Sequence, residues 1–205
     1  MAPMSTALRR PRMTRQEFLD WVATQEGRWE FDGYEPVPLH GPRAMTGGTL
    51  DHSRISQNVS FALRSRLRGS PCEVLGPDAG VAAEGDVVRF PDVLVTCTRG
   101  AGTARLAPAP VVVFEVLSPT SGRLDRIVKL REYRAVPSIR RYVIPEHASA
   151  ALTSFERAED GSAWIATPLT EADTLRLPEI GIEVPVAGFY EGVEFAPPAS
   201  DEAAP

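Results

Sequence analysis

The chain has 205 residues, 43% of them apolar and 24% charged, enough for one domain with a real core and too well balanced for wholesale disorder. With 22 basic against 27 acidic side chains the formal charge is −5, so any nucleic-acid role must rest on a local basic patch. No apolar run approaches bilayer length, and no apolar stretch follows the basic N-terminal residues as in a secretory signal; a soluble, cytoplasmic protein with no membrane partner is expected.

Residues 1–12 carry Pro, Ala and Arg without periodicity and read as a disordered arm, as does the low-complexity tail 196–205. A single domain over 13–195 lies between them. Thr14-Arg15-Gln16-Glu17 has the form of a capping box and predicts a helix to about Gln25. Trp29 to Val37 alternates around Asp32-Gly33 and predicts a hairpin. Asp51 is placed to cap a second helix in which Ile55, Val59, Phe61, Ala62, Leu63 and Leu67 recur at helical spacing. Arg54, Arg64 and Arg68 lie on its other face, and Arg64 and Arg68, with Arg66, form a cluster suited to phosphates or to a solvated helix end.

Short strands are expected at Glu73–Leu75, Val81–Ala83, Val87–Arg89 and Pro91–Cys97. The run Val111–Leu117 reads as a central strand buried on both faces. A helix over Leu124–Ala135 follows, then strands at Arg141–Ile144, Ala151–Arg157 and Trp164–Leu169 with Gly161 in a turn. Leu177–Pro185 reads as a closing edge segment before a short helical turn. This order predicts a mixed α/β (α+β) fold, one central sheet flanked by helices. Cys72 and Cys97 make no disulfide framework and no zinc spacing, so a reducing compartment is expected.

One residue breaks the central strand's pattern. Glu115 stands inside VVVFEVL, where an ionised carboxylate is costly unless paired or bound to a metal. Asp92 opens another apolar strand, and neighbouring strands can set the two carboxylates side by side. A divalent cation relieves their repulsion, and hard oxygen ligands completed by water suit Mg²⁺, with Mn²⁺ as substitute. On the following helix Asp125, Lys129 and Tyr133 recur every fourth residue and share a face. Lys129 is the single lysine in the chain. If that face packs over the strand end, its ammonium reaches the space beside the metal, where it can orient water or stabilise developing charge.

At these residues the chain resembles a known family. Pro91-Asp92, then Phe114-Glu115-Val116-Leu117-Ser118-Pro119-Thr120-Ser121, then Asp125, Lys129 and Tyr133 resemble the Uma-two type endonucleases of the PD-(D/E)XK, or restriction-endonuclease-like, superfamily. The likeness extends to Trp29-Glu30-Phe31-Asp32-Gly33, to His52 with Ile55, and to Arg141-Tyr142-Val143-Ile144, and runs from about residue 14 to 190. It implies a restriction-endonuclease-like core and Mg²⁺-dependent hydrolysis of phosphodiesters in nucleic acid, DNA first. It also implies Asp92 and Glu115 as metal ligands, Lys129 as the catalytic ammonium and Glu30 as an auxiliary acid. Two departures stand out. The superfamily's lysine usually lies two residues beyond the second acid, where this chain has Leu117, so Lys129 substitutes from the next helix. Relatives carry Trp-x-x-Asp-Pro where this chain has Tyr142-Val143-Ile144-Pro145-Glu146, a difference of packing.

Plainer roles compete with each assignment. Glu115 can pair with Arg126 or Arg131, and Lys129 can be an exposed lysine paired with Asp125. Tyr133 can be a packing residue, Glu30 a surface strand residue, and His52 a helix-stabilising one. Arg126, Arg64 and Arg68 are the candidate phosphate contacts. The rival to a nuclease is a catalytically inactive module of the same fold that binds nucleic acid or a protein. No G-x-S-x-G elbow supports a serine hydrolase around Ser118 or Ser121, and no P-loop or dinucleotide fingerprint points to an organic cofactor. A homodimer would suit cleavage of two strands.

Overall fold

The computed structural model describes residues 13–39, 49–116 and 123–195, with the backbone alone for 123–125. The expected arm at 1–12 and tail at 196–205 lie outside the described residues, as do Leu117 to Ser121. Helix α1 (Arg15–Val22) opens on the expected capping box: Thr14 Oγ1 accepts from the Glu17 amide at 3.3 Å, and Glu17 Oε2 accepts from the Thr14 amide at 2.7 Å. It stops short of Gln25 because the Thr24 and Gln25 amides turn back to the Trp21 and Val22 carbonyls.

Strands β1 (Trp29–Phe31) and β2 (Pro36–Pro38) form the expected antiparallel hairpin. Asp32 Oδ1 accepts from the Tyr34 and Glu35 amides, both at 2.7 Å, and so closes the turn. Gly33 is required there: its φ is +86°, and a Cβ would stand 2.5 Å from the Gly85 carbonyl oxygen.

Helix α2 (Leu50–Arg66) is capped by Thr49, whose side chain accepts from the His52 amide, and not by Asp51 as expected. Asp51 instead lies in the first turn and pairs with Arg54 at 2.7 Å. Ile55, Val59, Ala62 and Leu63 are buried, but Phe61 is 73% exposed. Two residues beyond Val59 is roughly 200° around the helix, which carries that ring to the solvent side.

The remaining elements are β3 (Glu73–Leu75), β4 (Val81–Ala82), β5 (Val88–Arg89), β6 (Val93–Thr96), β7 (Pro110–Phe114), α3 (Arg123–Ala135), β8 (Arg141–Pro145), β9 (Ala151–Arg157), β10 (Trp164–Thr170), β11 (Thr174–Leu177) and β12 (Ile182–Pro185). The expected single sheet is in fact divided. A six-stranded sheet runs β10-β9-β8-β7-β6-β3, and a four-stranded one runs β2-β1-β5-β4. The segment expected as a closing edge becomes a separate hairpin, β11 with β12, because Gly181 at φ +70° lets the chain reverse. In the large sheet β7 and β8 are parallel, joined by the α3 crossover, and the other neighbours are antiparallel, giving a mixed α+β fold.

The central strands of the large sheet are buried on both faces, as the unbroken apolar run of β7 predicts. Val112 and Phe114 pack with Ile55 and Val59 of α2, whereas Val113 packs with Tyr133 of α3. The strand ends at Phe114, so Glu115 lies one residue past it, although its amide still donates to the Val143 carbonyl at 3.0 Å.

The two cysteines require a correction. Cys72 and Cys97 form a disulfide with Cα atoms 3.8 Å apart. They flank β3 and β6, whose register sets Glu73 opposite Thr96 and therefore Cys72 opposite Cys97. The pairing is a product of strand register, to which the 25-residue spacing gives no clue.

Candidate active site

The register of β6 on β7 sets Val93 opposite Phe114, so the next pair outward is Asp92 with Glu115. Alternation gives Glu115 the face of Val113, and that is the face covered by α3. Lys129 and Tyr133, one helical turn apart, both reach it. Lys129 Nζ lies 3.2 Å from each Glu115 oxygen, and the Tyr133 hydroxyl donates to Glu115 Oε1 at 2.7 Å. Arg126 does not pair with Glu115; it lies 3.5 Å from Glu146. Lys129 is likewise no exposed helical lysine, being only 8% accessible.

Asp92 is held from two sides. Its Oδ2 accepts from the Val116 amide at 2.8 Å, and its Oδ1 lies 3.0 Å from His52 Nε2 on the first turn of α2. The other ring nitrogen, Nδ1, is buried without a hydrogen-bond partner among the described residues. Glu30 on β1 is buried at 3% exposure, accepts from the Phe90 amide, and lies 3.5 Å from Lys129 Nζ. It is a site residue and not a surface one.

Electrostatics follow from this crowding. Burial, reinforced by the charges of Asp92 and Glu30 and opposed by Lys129 and the Tyr133 hydroxyl, pushes the Glu115 carboxyl up to about 7. Burial holds the Tyr133 hydroxyl well above its ordinary range, so it stays protonated and donates. The hydrogen bond to Asp92 raises the His52 imidazole above its ordinary value.

Two further residues complete the cluster. Arg89 on β5 donates from Nε and Nη2 to both oxygens of Glu132 at 2.6 and 2.7 Å, and from Nη1 to Glu30 at 3.0 Å. This buried fork ties α3 to the small sheet and so fixes Lys129 above Glu115. Sequence reasoning passed over both, yet a signal was there. Arg89 interrupts Val87-Val88-Arg89-Phe90 just as Glu115 interrupts its strand, and Glu132 follows Lys129 by three residues on one helix face.

Asp92 and Glu115, paired at one sheet end, are the side chains that could hold a divalent cation. Among the described residues Glu30, Asp92, Glu115 and Glu132 are answered by Lys129 and Arg89, a surplus of two negative charges once all four carboxylates are ionised and His52 is neutral. No group of three or more His, Cys, Asp or Glu side chains among the described residues is placed to hold a metal ion together. Mg²⁺ asks for none, since one or two carboxylates and waters suffice.

The family model Uma2, described as "Putative restriction endonuclease", matches residues 15–187. The chain belongs to the Uma2 family. Among its relatives is the uncharacterized protein slr1290 of Synechocystis sp., 30% identical over 188 residues that cover 90% of this chain and 95% of that one. The uncharacterized protein sll1609 of the same organism is 24% identical over 77% of this chain and 87% of its own. The fold is similar to the crystal structure of a "putative nuclease belonging to DUF820" from Anabaena variabilis, with a TM-score of 0.65 at 14% identity over 87% of this chain and 98% of that one.

Other expected site residues of this Uma2 chain stand apart. The Asp125 side chain lies outside the described residues. Arg64 donates to the Val74 carbonyl and, with Arg68, lines a cleft of about 480 Å³ at the far end of α2. Twelve residues of helix separate Arg64 from His52, roughly 18 Å along the axis, so the fold does not bring that cluster to the acids. No helix among the described residues is long and apolar enough to cross a membrane.

Proposed function

We propose that this Uma2 protein is a Mg²⁺-dependent endonuclease that hydrolyses phosphodiester bonds in DNA. The observation that carries the reading is the Lys129 ammonium held between Glu115 and Glu30, beside an Asp92 fixed by register at the same sheet end. Asp92 and Glu115 would hold the cation. When bound, it supplies neutralisation of phosphoryl oxygens and acidification of water.

The chain's own residues do the rest. The Val116 amide and His52 fix the Asp92 carboxylate, and Tyr133 fixes that of Glu115, so neither has to reorganise during the reaction. Lys129 keeps its ammonium between Glu115 and Glu30 at that sheet end. There it orients the attacking water and stabilises charge growing on the phosphoryl oxygens as the bond to one sugar oxygen breaks. Arg89 and Glu132 keep that ammonium in place through the helix.

The test is cleavage of supercoiled plasmid and single-stranded DNA with Mg²⁺ or Mn²⁺, wild type beside Glu115→Gln. Cutting by the wild type and loss of at least about a hundredfold in the variant are expected. Equal cutting by both would overturn the site. No cutting by either, on any nucleic acid, would favour a catalytically silent module.

A further inference from the structure

On β1 and the strand beside it the side chains alternate. Phe31 pairs with Val88, so Glu30 stands opposite Arg89 and Trp29 opposite Phe90. Glu30 and Arg89 face the acid cluster, whereas Trp29 and Phe90 turn away and line a pocket of about 220 Å³ with Arg28, Leu39, Asp78 and Arg105. The pocket thus shares its wall with the site. The Phe90 amide is bonded to Glu30, and Phe90 stands two residues before Asp92.

The pocket is built, not incidental. Gly80 carries the loop bearing Arg105, through a Gly80 amide bond to the Arg105 carbonyl and an Ala107 amide bond back to Gly80, both 2.8 Å. A Cβ at Gly80 would lie 2.8 Å from Leu106 Cδ2 and 3.1 Å from Phe90 Cε1, so a side chain there would have to push the Leu106 methyl aside. Trp29 is oriented by its indole N–H donating to the Glu26 carbonyl and by its edge-to-face packing with Trp21, 5.2 Å between centroids.

We propose that this pocket, across the β1–β5 pair from the acid cluster, receives one unstacked base of the substrate strand. The reading rests on the nuclease assignment and adds a subsite to it. A cavity of about 150 Å³ takes a benzene ring, so 220 Å³ takes a single heteroaromatic base and excludes a base pair. Trp29 and Phe90 in its lining suit stacking that tolerates any base, and Arg28 and Arg105 in the same lining supply cations for its phosphate. Asp78 supplies an acceptor for the exocyclic amines or ring N–H groups of a base edge. This rim carries two positive charges against one negative, the opposite balance to the acid cluster, so the two sites divide the work of holding phosphate and holding metal.

The test uses the full chain with EDTA present, so that no cleavage and no metal site enters the readout. Intrinsic tryptophan fluorescence, to which Trp29 contributes beside Trp21 and Trp164, is followed while each of the four deoxynucleoside 5′-monophosphates is added, with deoxyribose 5-phosphate as a base-free control. At least one nucleotide should give a saturable change and the control none. Phe90→Leu, which keeps bulk and removes the ring, should weaken binding at least about fivefold, and Arg105→Ser should do the same; thermal melting confirms that both variants fold. Overturning results are a control that binds as tightly as the nucleotides, which marks a phosphate site only, no saturable change with any nucleotide, or unchanged affinity in folded Phe90→Leu. Plasmid cleavage with Mg²⁺ by the same preparation tests the nuclease reading separately, so failure of either is seen without the other.

Discussion

Lys129 Nζ stands 3.2 Å from both oxygens of Glu115, a helix residue and a strand-end residue fourteen positions apart that meet at under a tenth of their exposed area. Glu30 shares the same ammonium at 3.5 Å, so one cation answers two buried carboxylates. Removing it leaves Glu115 uncompensated among the described residues and Glu30 with Arg89 alone. Lys129→Met is therefore expected to lower stability by about 3–5 kcal/mol, the cost of breaking a buried pair, where an exposed pair would cost under about 1. Urea unfolding in EDTA measures it. The double variant with Glu115→Gln should recover part of the loss, and a lone Lys129→Met loss at the exposed-pair level would show that the contact is not closed in solution.

The acid cluster also gives stability a direction with pH. Glu115 titrates near 4.5 when unfolded and is pushed up to about 7 by burial when folded, so between those values the folded state binds more protons than the unfolded one. Metal-free stability should then fall as pH rises from about 5 to about 7. His52 acts in the same sense: its raised folded value contributes stability below its ordinary pKa that is lost as pH climbs through the folded one. Denaturant titrations across this window should show the decline in the wild type and a flatter profile in Glu115→Gln. A wild-type profile that rises with pH would refute it.

Metal binding separates ligand from support. Asp92→Asn removes a charge that would touch the cation, whereas His52→Ala removes only a group that orients Asp92 at 3.0 Å. Loss of such a supporting partner costs roughly 10–100-fold in affinity, and loss of the ligand should cost more. Calorimetric Mn²⁺ titration of the two variants beside the wild type should give that order. Equal affinities in all three would place the cation elsewhere.

The apolar strands and their interruptions were legible in the sequence, and so was most of the candidate site. A carboxylate inside VVVFEVL and three residues spaced by four on the next helix are local patterns, and register and crossover geometry do the rest. What stayed hidden depended on pairing between distant strands. Arg89 meets Glu30 only because β5 joins β1 in a second sheet, and Cys72 meets Cys97 only because β3 borders β6. Phe61 misled for another reason: a helix of 17 residues has apolar residues to spare, and the ring falls on the solvent side.

The disulfide offers a test of fold against site. Cys97 ends β6 at the opposite end from Asp92, five residues or roughly 16 Å along the strand, and Cys72 lies beyond the start of β3. Joining them closes a loop of 25 residues, which restricts the unfolded chain and contributes about 2–4 kcal/mol of stability. Cys72→Ser with Cys97→Ser should lower the unfolding free energy by that amount while leaving Mn²⁺ affinity unchanged. The strand pairing that carries Asp92 is held by β7 as well as by β3, so the acid end of the sheet survives the loss of the bridge at its far corner. If Mn²⁺ affinity falls together with stability, the two ends of β6 are coupled and the bridge belongs to the architecture of the site.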